Sequence, residues 1–280
     1  MPRIPRSAVL ALPALVCFAA NSLLCRRALG FGLIDPASFT SIRLISGTIS
    51  LALIAGVIRR SGPRGGSWIS ALMLFCYAAT FSASYVLIGA GIGSLLLFGS
   101  VQATMLGWGI VRGERPTSRQ WTGILVALVG LASLTLPGSH APNLLGAALM
   151  ICAGISWGIY SLRGRRVVDP IVTTSDNFLR TVPLTVALSL ISISDAHATP
   201  SGVYLAVVSG ALASGVGYIL WYAALPLLSA TQAAAVQLSA PILAASGAVL
   251  FLGEQVTFRL VGSGAAILCG VWLAVQKRRA

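Results

Sequence analysis

The chain has 280 residues, of which 56% are hydrophobic and 9% charged, and its mean hydropathy is +0.90. A water-soluble domain carries about a quarter charged residues, so this composition excludes a soluble globular enzyme. The net charge of +13 would suggest nucleic acid in a soluble protein, but the arginines stand in short loops between apolar runs and read as topology determinants instead.

Apolar runs of roughly 20 residues, the length a helix needs to cross a bilayer, recur along the whole chain. Ten spans are predicted, at 8–25, 37–58, 67–87, 91–112, 120–136, 144–162, 176–194, 202–223, 229–252 and 259–275. The first resembles a secretion signal, with Arg3 and Arg6 before an apolar core and Ala19-Ala20 after it. It is expected to be retained, because its counterpart in the second half, at 144–162, is internal. Connections are short, so consecutive helices are expected to be neighbours. Five cysteines, Cys17, Cys25, Cys76, Cys152 and Cys269, show no CxxC spacing and read as packing residues. No cofactor or metal is expected.

Residues 97–130 and 237–270 share one grammar: an apolar run, a Gly-Glu hairpin, then a second apolar run. At an offset of 140 residues Gly107 matches Gly247, Gly113-Glu114 matches Gly253-Glu254, Thr117 matches Thr257 and Gly130 matches Gly270. A repeat half the chain long implies two copies of one unit. The units are taken as 1–138 and 139–280. Five spans per unit is odd, so the second unit enters the membrane from the opposite side. Charge agrees: with a cytoplasmic N-terminus, Arg112, Arg115, Arg119, Arg163, Arg165, Arg166 and the terminal Lys277-Arg278-Arg279 lie inside, against Arg26, Arg27 and Arg259 outside. The positive-inside rule places both termini in the cytoplasm. The expected fold is an all-α integral membrane protein of ten transmembrane helices in two inverted five-helix repeats, the plan of secondary transporters.

The doubled Gly-Glu hairpin, Pro241 thirteen residues before Glu254, an arginine in the second span of each unit (Arg43, Arg180) and Trp157-Gly158 in the sixth span resemble the EamA-type drug/metabolite transporters over essentially the whole chain. The pattern departs at Val101, where Pro241 has no twin, and at Asn21, where Trp157 has none. The resemblance implies a bacterial inner-membrane exporter of amino acids or related metabolites, most like the aromatic amino acid exporters. It also favours a scaffold role for the two arginines.

Arg43 and Arg180 lie within spans, where a charge is costly and normally faces protein or water. Each is read as a contact for a substrate carboxylate or as an interhelical tie; Asp176, one turn before Arg180, offers an intrahelical partner. Glu114 and Glu254 at the hairpins read as helix-capping carboxylates. No acid lies deep in a span, and His140 and His197 fall in outer loops, so proton coupling through a buried carboxylate is not expected. Aromatic and amide residues point to a cavity for a neutral, partly apolar solute. The lining residues are taken as Tyr77, Phe81, Gln102, Trp157, Tyr160, Trp221, Tyr222 and Gln237, with Arg43 and Arg180 beside them. Tyr77, Phe81 and Tyr85 form one helical stripe, and Tyr218, Trp221 and Tyr222 another, facing it across the cavity. Pro241 removes a backbone hydrogen bond and is the expected hinge.

The expected function is export of amino acids, aromatic or apolar, by alternating access. The alternatives are nucleotide-sugar or phosphorylated substrates, hydrophobic drugs and, from other classes, an intramembrane enzyme or a channel. The partners expected are a small-molecule substrate and the lipid bilayer, with no nucleic acid. The sequence sets no oligomeric state, and a monomer is compatible with it.

Overall fold

A computed structural model describes residues 6–57, 65–88, 90–136, 143–252 and 255–276. Gly253-Glu254 of the second hairpin, His140 and the basic C-terminal tail lie outside the described residues. The described chain is helical throughout, its one strand-like feature being an isolated antiparallel bridge between Ile34 and Ala198.

The helices are α1 (Arg6–Gly30), α2 (Pro36–Val57), α3 (Trp68–Tyr85), α4 (Ala90–Val111), α5 (Ser118–Thr135), α6 (Leu144–Gly164) and α7 (Pro170–Ile191). They continue with α8 (Pro200–Val208), a π-helical segment (Ser209–Val216), α9 (Gly217–Ala224), α10 (Ala230–Gln237), α11 (Ala240–Leu252) and α12 (Phe258–Val275). Eight stretches among the described residues are long and apolar enough to cross a membrane, Pro200–Leu227 and Ala230–Leu250 each counting as one. The predicted spans at 120–136 and 176–194 form the helices α5 and α7 but are not among the eight. The opening turn of α5 is polar, Ser118-Arg119-Gln120, and α7 carries Thr173, Thr174, Asp176, Asn177 and Arg180.

Where boundaries move, capping explains it. The predicted seventh span starts at 176, whereas α7 starts at Pro170. There Asp169 accepts from the N–H groups of Ile171 (3.0 Å) and Val172 (3.1 Å), and proline at a first helical position needs no partner. Asp176 therefore sits in the second turn rather than at a span end. Capping boxes open α5 (Thr117 with Gln120) and α10 (Ser229 with Gln232). Their glutamines reach on to the last carbonyls of α12, Ala274 and Val275.

Small residues set the packing. In lipid no hydrophobic force draws helices together, so close backbone approach must. A Cβ on Gly123 of α5 would lie 2.5 Å from the Gly270 carbonyl of α12, and one on Gly270 would meet the Gly123 carbonyl. Gly130 faces Ile267 and Ser263, and Gly270 faces Ala127. Elsewhere α3 packs on α6 and α7, α4 on α6 and α10, α2 on α7, and α1 on α9 and α11. α2 also packs on the π segment. Outward faces keep large apolar side chains such as Leu53, Val129 and Trp272 exposed, as a lipid-facing surface requires.

Gly123→Leu or Gly270→Leu should overpack the α5–α12 crossing and cost about 1–3 kcal/mol, read as a lower melting temperature in detergent. Gly262→Leu on the same helix, where a Cβ meets nothing within 4 Å, should leave it unchanged.

Candidate functional site

Five helices bring aromatic side chains to the middle of the molecule: Phe18 from α1, Tyr77, Phe81 and Tyr85 from α3, Trp157 and Tyr160 from α6, Phe178 from α7, and Tyr218, Trp221 and Tyr222 from α9. The spacings i, i+4, i+8 on α3 and i, i+3, i+4 on α9 put each set on one helical face. Ring centroids follow one another as a continuous column. Tyr85 to Phe81 is 5.4 Å, Phe81 to Tyr77 5.7 Å, Tyr77 to Trp157 4.9 Å, Trp157 to Tyr160 5.6 Å and Tyr160 to Tyr222 4.8 Å. Such separations are those of favourable ring pairs. Phe18 sets its edge against Trp157, Tyr218 and Trp221. Trp157 joins the α3 and α9 stripes, lying 4.9 Å from both Tyr77 and Tyr218.

Open space lies at the two ends of this column. A vestibule of about 1440 Å³ is lined by the starts of α3 and α7 and the ends of α4, α6 and α9, with Tyr222 at its floor. A smaller one of about 390 Å³ is lined by the ends of α1, α3 and α5, by α11 and by the starts of α4 and α12, and includes Tyr85 and Pro241. Since α3 begins at the first and ends at the second, the two stand at opposite ends of the bundle. The expected cavity-lining residues between them, Phe81, Trp157, Tyr160 and Trp221, are buried against one another.

Arg43 is 1% exposed. Its Nε donates to Ser214 Oγ (2.8 Å), its Nη2 to the Tyr218 hydroxyl (2.8 Å), and the guanidinium lies 5.5 Å from the centre of the Tyr77 ring. Its Nη1 has no hydrogen-bond partner, and no carboxylate pairs with it among the described residues. An ionised group buried without a counter-ion is costly. Ser214 belongs to the π segment, a feature the sequence reading did not anticipate. That segment presses Gly210 onto the Arg43 carbonyl and Ser46, while Ser50 of α2 donates to the Ala211 carbonyl (3.1 Å). Single π turns recur at functional sites. The only sequence trace of this one is the run of small residues SGALASGVG.

The amides form a second node. Trp157 Nε1 donates to Gln237 Oε1 (2.5 Å), and Gln237 Nε2 faces Met105 Sδ and the Ala233 carbonyl, both at 3.2 Å. Gln102 Nε2 donates to the Ala234 carbonyl (2.6 Å), leaving Oε1 unpartnered. Trp221 Nε1 donates to Ser161 Oγ (3.1 Å) and the Tyr222 hydroxyl to the Tyr160 carbonyl (3.0 Å).

Two expected residues stand apart. Arg180 bonds Asp176 at 2.6 Å and lies 5.9 Å from the Trp68 ring centre, in a shallow notch with Leu179 and Pro183 and away from the column. Asp176 also accepts from the Gly66 N–H (2.9 Å), so this pair ties α7 to the α3 approach. Pro241 sits in the first turn of α11, just past a break at Leu238-Ser239 that separates α10 from α11. Phe18 and Ser214 were missed by the sequence reading, and Tyr218 was noted only as part of a stripe.

Glu114 is a cap, though not of the helix that follows it. Its Oε1 accepts from Ala230 N (2.9 Å), its Oε2 from Thr231 N and Oγ1 (both 3.1 Å), and Arg165 bonds it at 3.2 Å. It thus ties the end of α4 to the N-terminus of α10 and to the α6–α7 loop. Burial alone would raise its pKa; the Ala230 and Thr231 donors and Arg165 outweigh that and hold it below the usual glutamate value.

The chain matches the EamA-like transporter family twice, over residues 5–136 and again over 144–276. It belongs to that family of membrane transporters, within the drug/metabolite transporter superfamily, and is a multi-pass membrane protein rather than an enzyme. Among its relatives is the protein PA1977 of Pseudomonas aeruginosa, 46% identical over 98% of this chain and 96% of that one. Another, from Streptantibioticus cattleyicolor, is 28% identical over 87% of this chain and 84% of its own, and is named "Probable terminal-alkyne amino-acid exporter". A third, from Salmonella typhimurium, is 26% identical over 66% of this chain and 67% of its own, and is named "Probable amino-acid metabolite efflux pump". One solved crystal structure shares the fold, with a TM-score of 0.80 at 18% identity over 98% of this chain and 99% of the other.

A lowered carboxylate pKa contributes stability that is present above the ordinary glutamate range and lost as pH falls through the folded value. Glu114→Gln should cost about 1 kcal/mol at neutral pH, as loss of a helix cap does. In melting curves from pH 7 downward the gap to wild type should close below the ordinary glutamate range.

Proposed function

We propose that this protein is a secondary transporter that exports small carboxylates, foremost amino acids with aromatic or apolar side chains, by alternating access between two inverted five-helix repeats, 1–138 and 139–280. The observation that carries the substrate reading is Arg43: a guanidinium buried beside an aromatic column, with Nη1 unpartnered and no carboxylate paired with it among the described residues. A substrate carboxylate would supply the missing counter-charge by a charge-assisted hydrogen bond. Its side chain would lie among the rings, where aromatic groups bury large apolar area. The relatives named as amino-acid exporters agree in kind.

The double family match supports the repeat. So does the reciprocity of the α5–α12 crossing: Gly130 faces Ile267 and Gly270 faces Ala127, and adding 140 to 130 while subtracting it from 267 turns one contact into the other. Counting α8 to α9 and α10 to α11 as one crossing each is compatible with ten spans, the eight long apolar stretches plus α5 and α7. The large vestibule, with Arg112, Arg163, Arg165 and Arg166 on its wall, faces the cytoplasm by the positive-inside rule. The membrane is then the bacterial inner membrane, with both termini inside. In this state the column closes the path between the vestibules.

The same arginines favour a second reading, transport of phosphorylated or nucleotide-sugar compounds. Against it, Arg163 already bonds Ser70 and Ser67, and Arg165 bonds Glu114 and the Leu228 carbonyl. Arg43, by contrast, is buried against Tyr77 and Tyr218 within the column.

Counterflow of labelled phenylalanine in liposomes, at equal pH on both sides, should be saturable and competed by tryptophan and tyrosine. Phenethylamine, which lacks the carboxylate, should not compete. Arg43→Ala should raise the apparent KM about 10- to 100-fold, the equivalent of one lost hydrogen bond to a charge, in protein that still melts cooperatively. Equal competition by phenethylamine, or unchanged KM in folded Arg43→Ala, would overturn the carboxylate reading; competition by a sugar phosphate alone would establish the second.

A further inference from the structure

Trp157 is held as a bound ligand would be. Its indole is 6% exposed and is enclosed by Phe18 at 5.3 Å, Tyr77 at 4.9 Å, Tyr160 at 5.6 Å and Tyr218 at 4.9 Å. Its one polar atom, the Nε1–H, meets Gln237 Oε1 at 2.5 Å. The amide is fixed in that sense: Gln237 Nε2 faces two acceptors, Met105 Sδ and the Ala233 carbonyl, so only the oxygen is turned to the indole. Three residues before Met105, and so on the same face of α4, Gln102 offers a second buried carbonyl oxygen with no partner. The bond to the Ala234 carbonyl fixes its orientation in the same way. Arg43 closes the other side of the cage through Tyr77 and Tyr218.

We propose that the Trp157 indole is an internal stand-in for the substrate's aromatic ring. The cage of Phe18, Tyr77, Tyr160 and Tyr218, with Gln237 as hydrogen-bond acceptor, then selects rings that carry a donor, indole or phenol, over plain phenyl. This rests on the carboxylate-carrier reading and sharpens it: Arg43 takes the acid, Trp157 swings out, and Gln237 takes the N–H or O–H of the arriving ring. A phenyl ring leaves the Gln237 oxygen unpaired, and an unpaired buried acceptor is penalised. The acceptor therefore discriminates without contributing to catalysis of any bond change.

The test needs no transport. In purified Trp157→Ala the vacated cage should bind free indole, read as a rise in melting temperature with indole concentration. 1-Methylindole, of nearly the same shape but without the N–H, should need about 3- to 10-fold higher concentration for the same rise. Trp157→Ala combined with Gln237→Leu should level the two. If Trp157→Ala does not fold, Trp157→Phe, which keeps a ring but no donor, is used in counterflow with Gln237→Leu beside it. Wild type should then favour tryptophan and tyrosine over phenylalanine by the same factor, and Gln237→Leu should bring that ratio to about one. Equal response to indole and 1-methylindole, no response to either in a folded variant, or a ratio indifferent to Gln237, overturns the proposal. Selective indole binding without exchange of any amino acid would instead keep the cage and overturn the carrier reading.

Discussion

A guanidinium with no counter-ion among the described residues, enclosed in an apolar bundle, is the constraint around which the middle of this structure is arranged. Arg43 belongs to the first half of the chain, while two of the groups that satisfy it, Ser214 and Tyr218, belong to the second. An α-helix continued through 209–216 would carry its side chains in a different register; the π segment widens that turn and delivers the serine hydroxyl and the phenol to one charge. The cost of the widened turn is met by α2, whose Ser46 and Ser50 bond the carbonyls of Val207 and Ala211. In hydrocarbon no water would do this. One buried charge thus explains an irregular helix, a pair of serines on its neighbour, and a glycine at the closest approach.

The two ends of the bundle are tied differently. At the large vestibule Glu114 and Arg165 hold the α10 N-terminus by charge-assisted hydrogen bonds. At the other end Asp35 caps α2 through Ser38 and accepts from the His197 N–H, while Thr199 N donates to the Leu33 carbonyl. Donors on Ser38 and His197 hold the Asp35 carboxyl below its usual range in spite of its burial. Between these ends the contacts are rings and glycine backbones, with the hydrogen bonds of Arg43 and Gln237 set among them. For the alternating access proposed above, charged ties at the ends and a ring-lined middle are a workable division.

Relatives at 46% and at 22–28% identity cover most of this chain, and the fold persists in a solved structure at 18%. In this chain the close helix crossings rest on small residues, since backbone approach depends on side-chain size. The proposed function places substrate choice in the aromatic column and the Arg43 node.

Sequence alone determined that the chain is helical and lives in a membrane, and it pointed to a doubled unit. Each follows from a local or periodic property: the length of apolar runs, the rarity of charge, the recurrence of Gly-Glu at a fixed offset. It also picked out most of the column, because Tyr, Trp and Gln in an apolar run are conspicuous against their neighbours. Tertiary structure decided which of these residues meet. Arg43 and Arg180 look alike in sequence, yet one lies against the rings and the other pairs with Asp176 at the periphery. Glu114 was read as a cap, but its helix is α10, more than a hundred residues away. Phe18 and the π turn at Ser214 carried no signal, since a phenylalanine or a small-residue run in an apolar helix is ordinary. Periodicity places a side chain on a face of its own helix; only the crossing of helices says what that face touches.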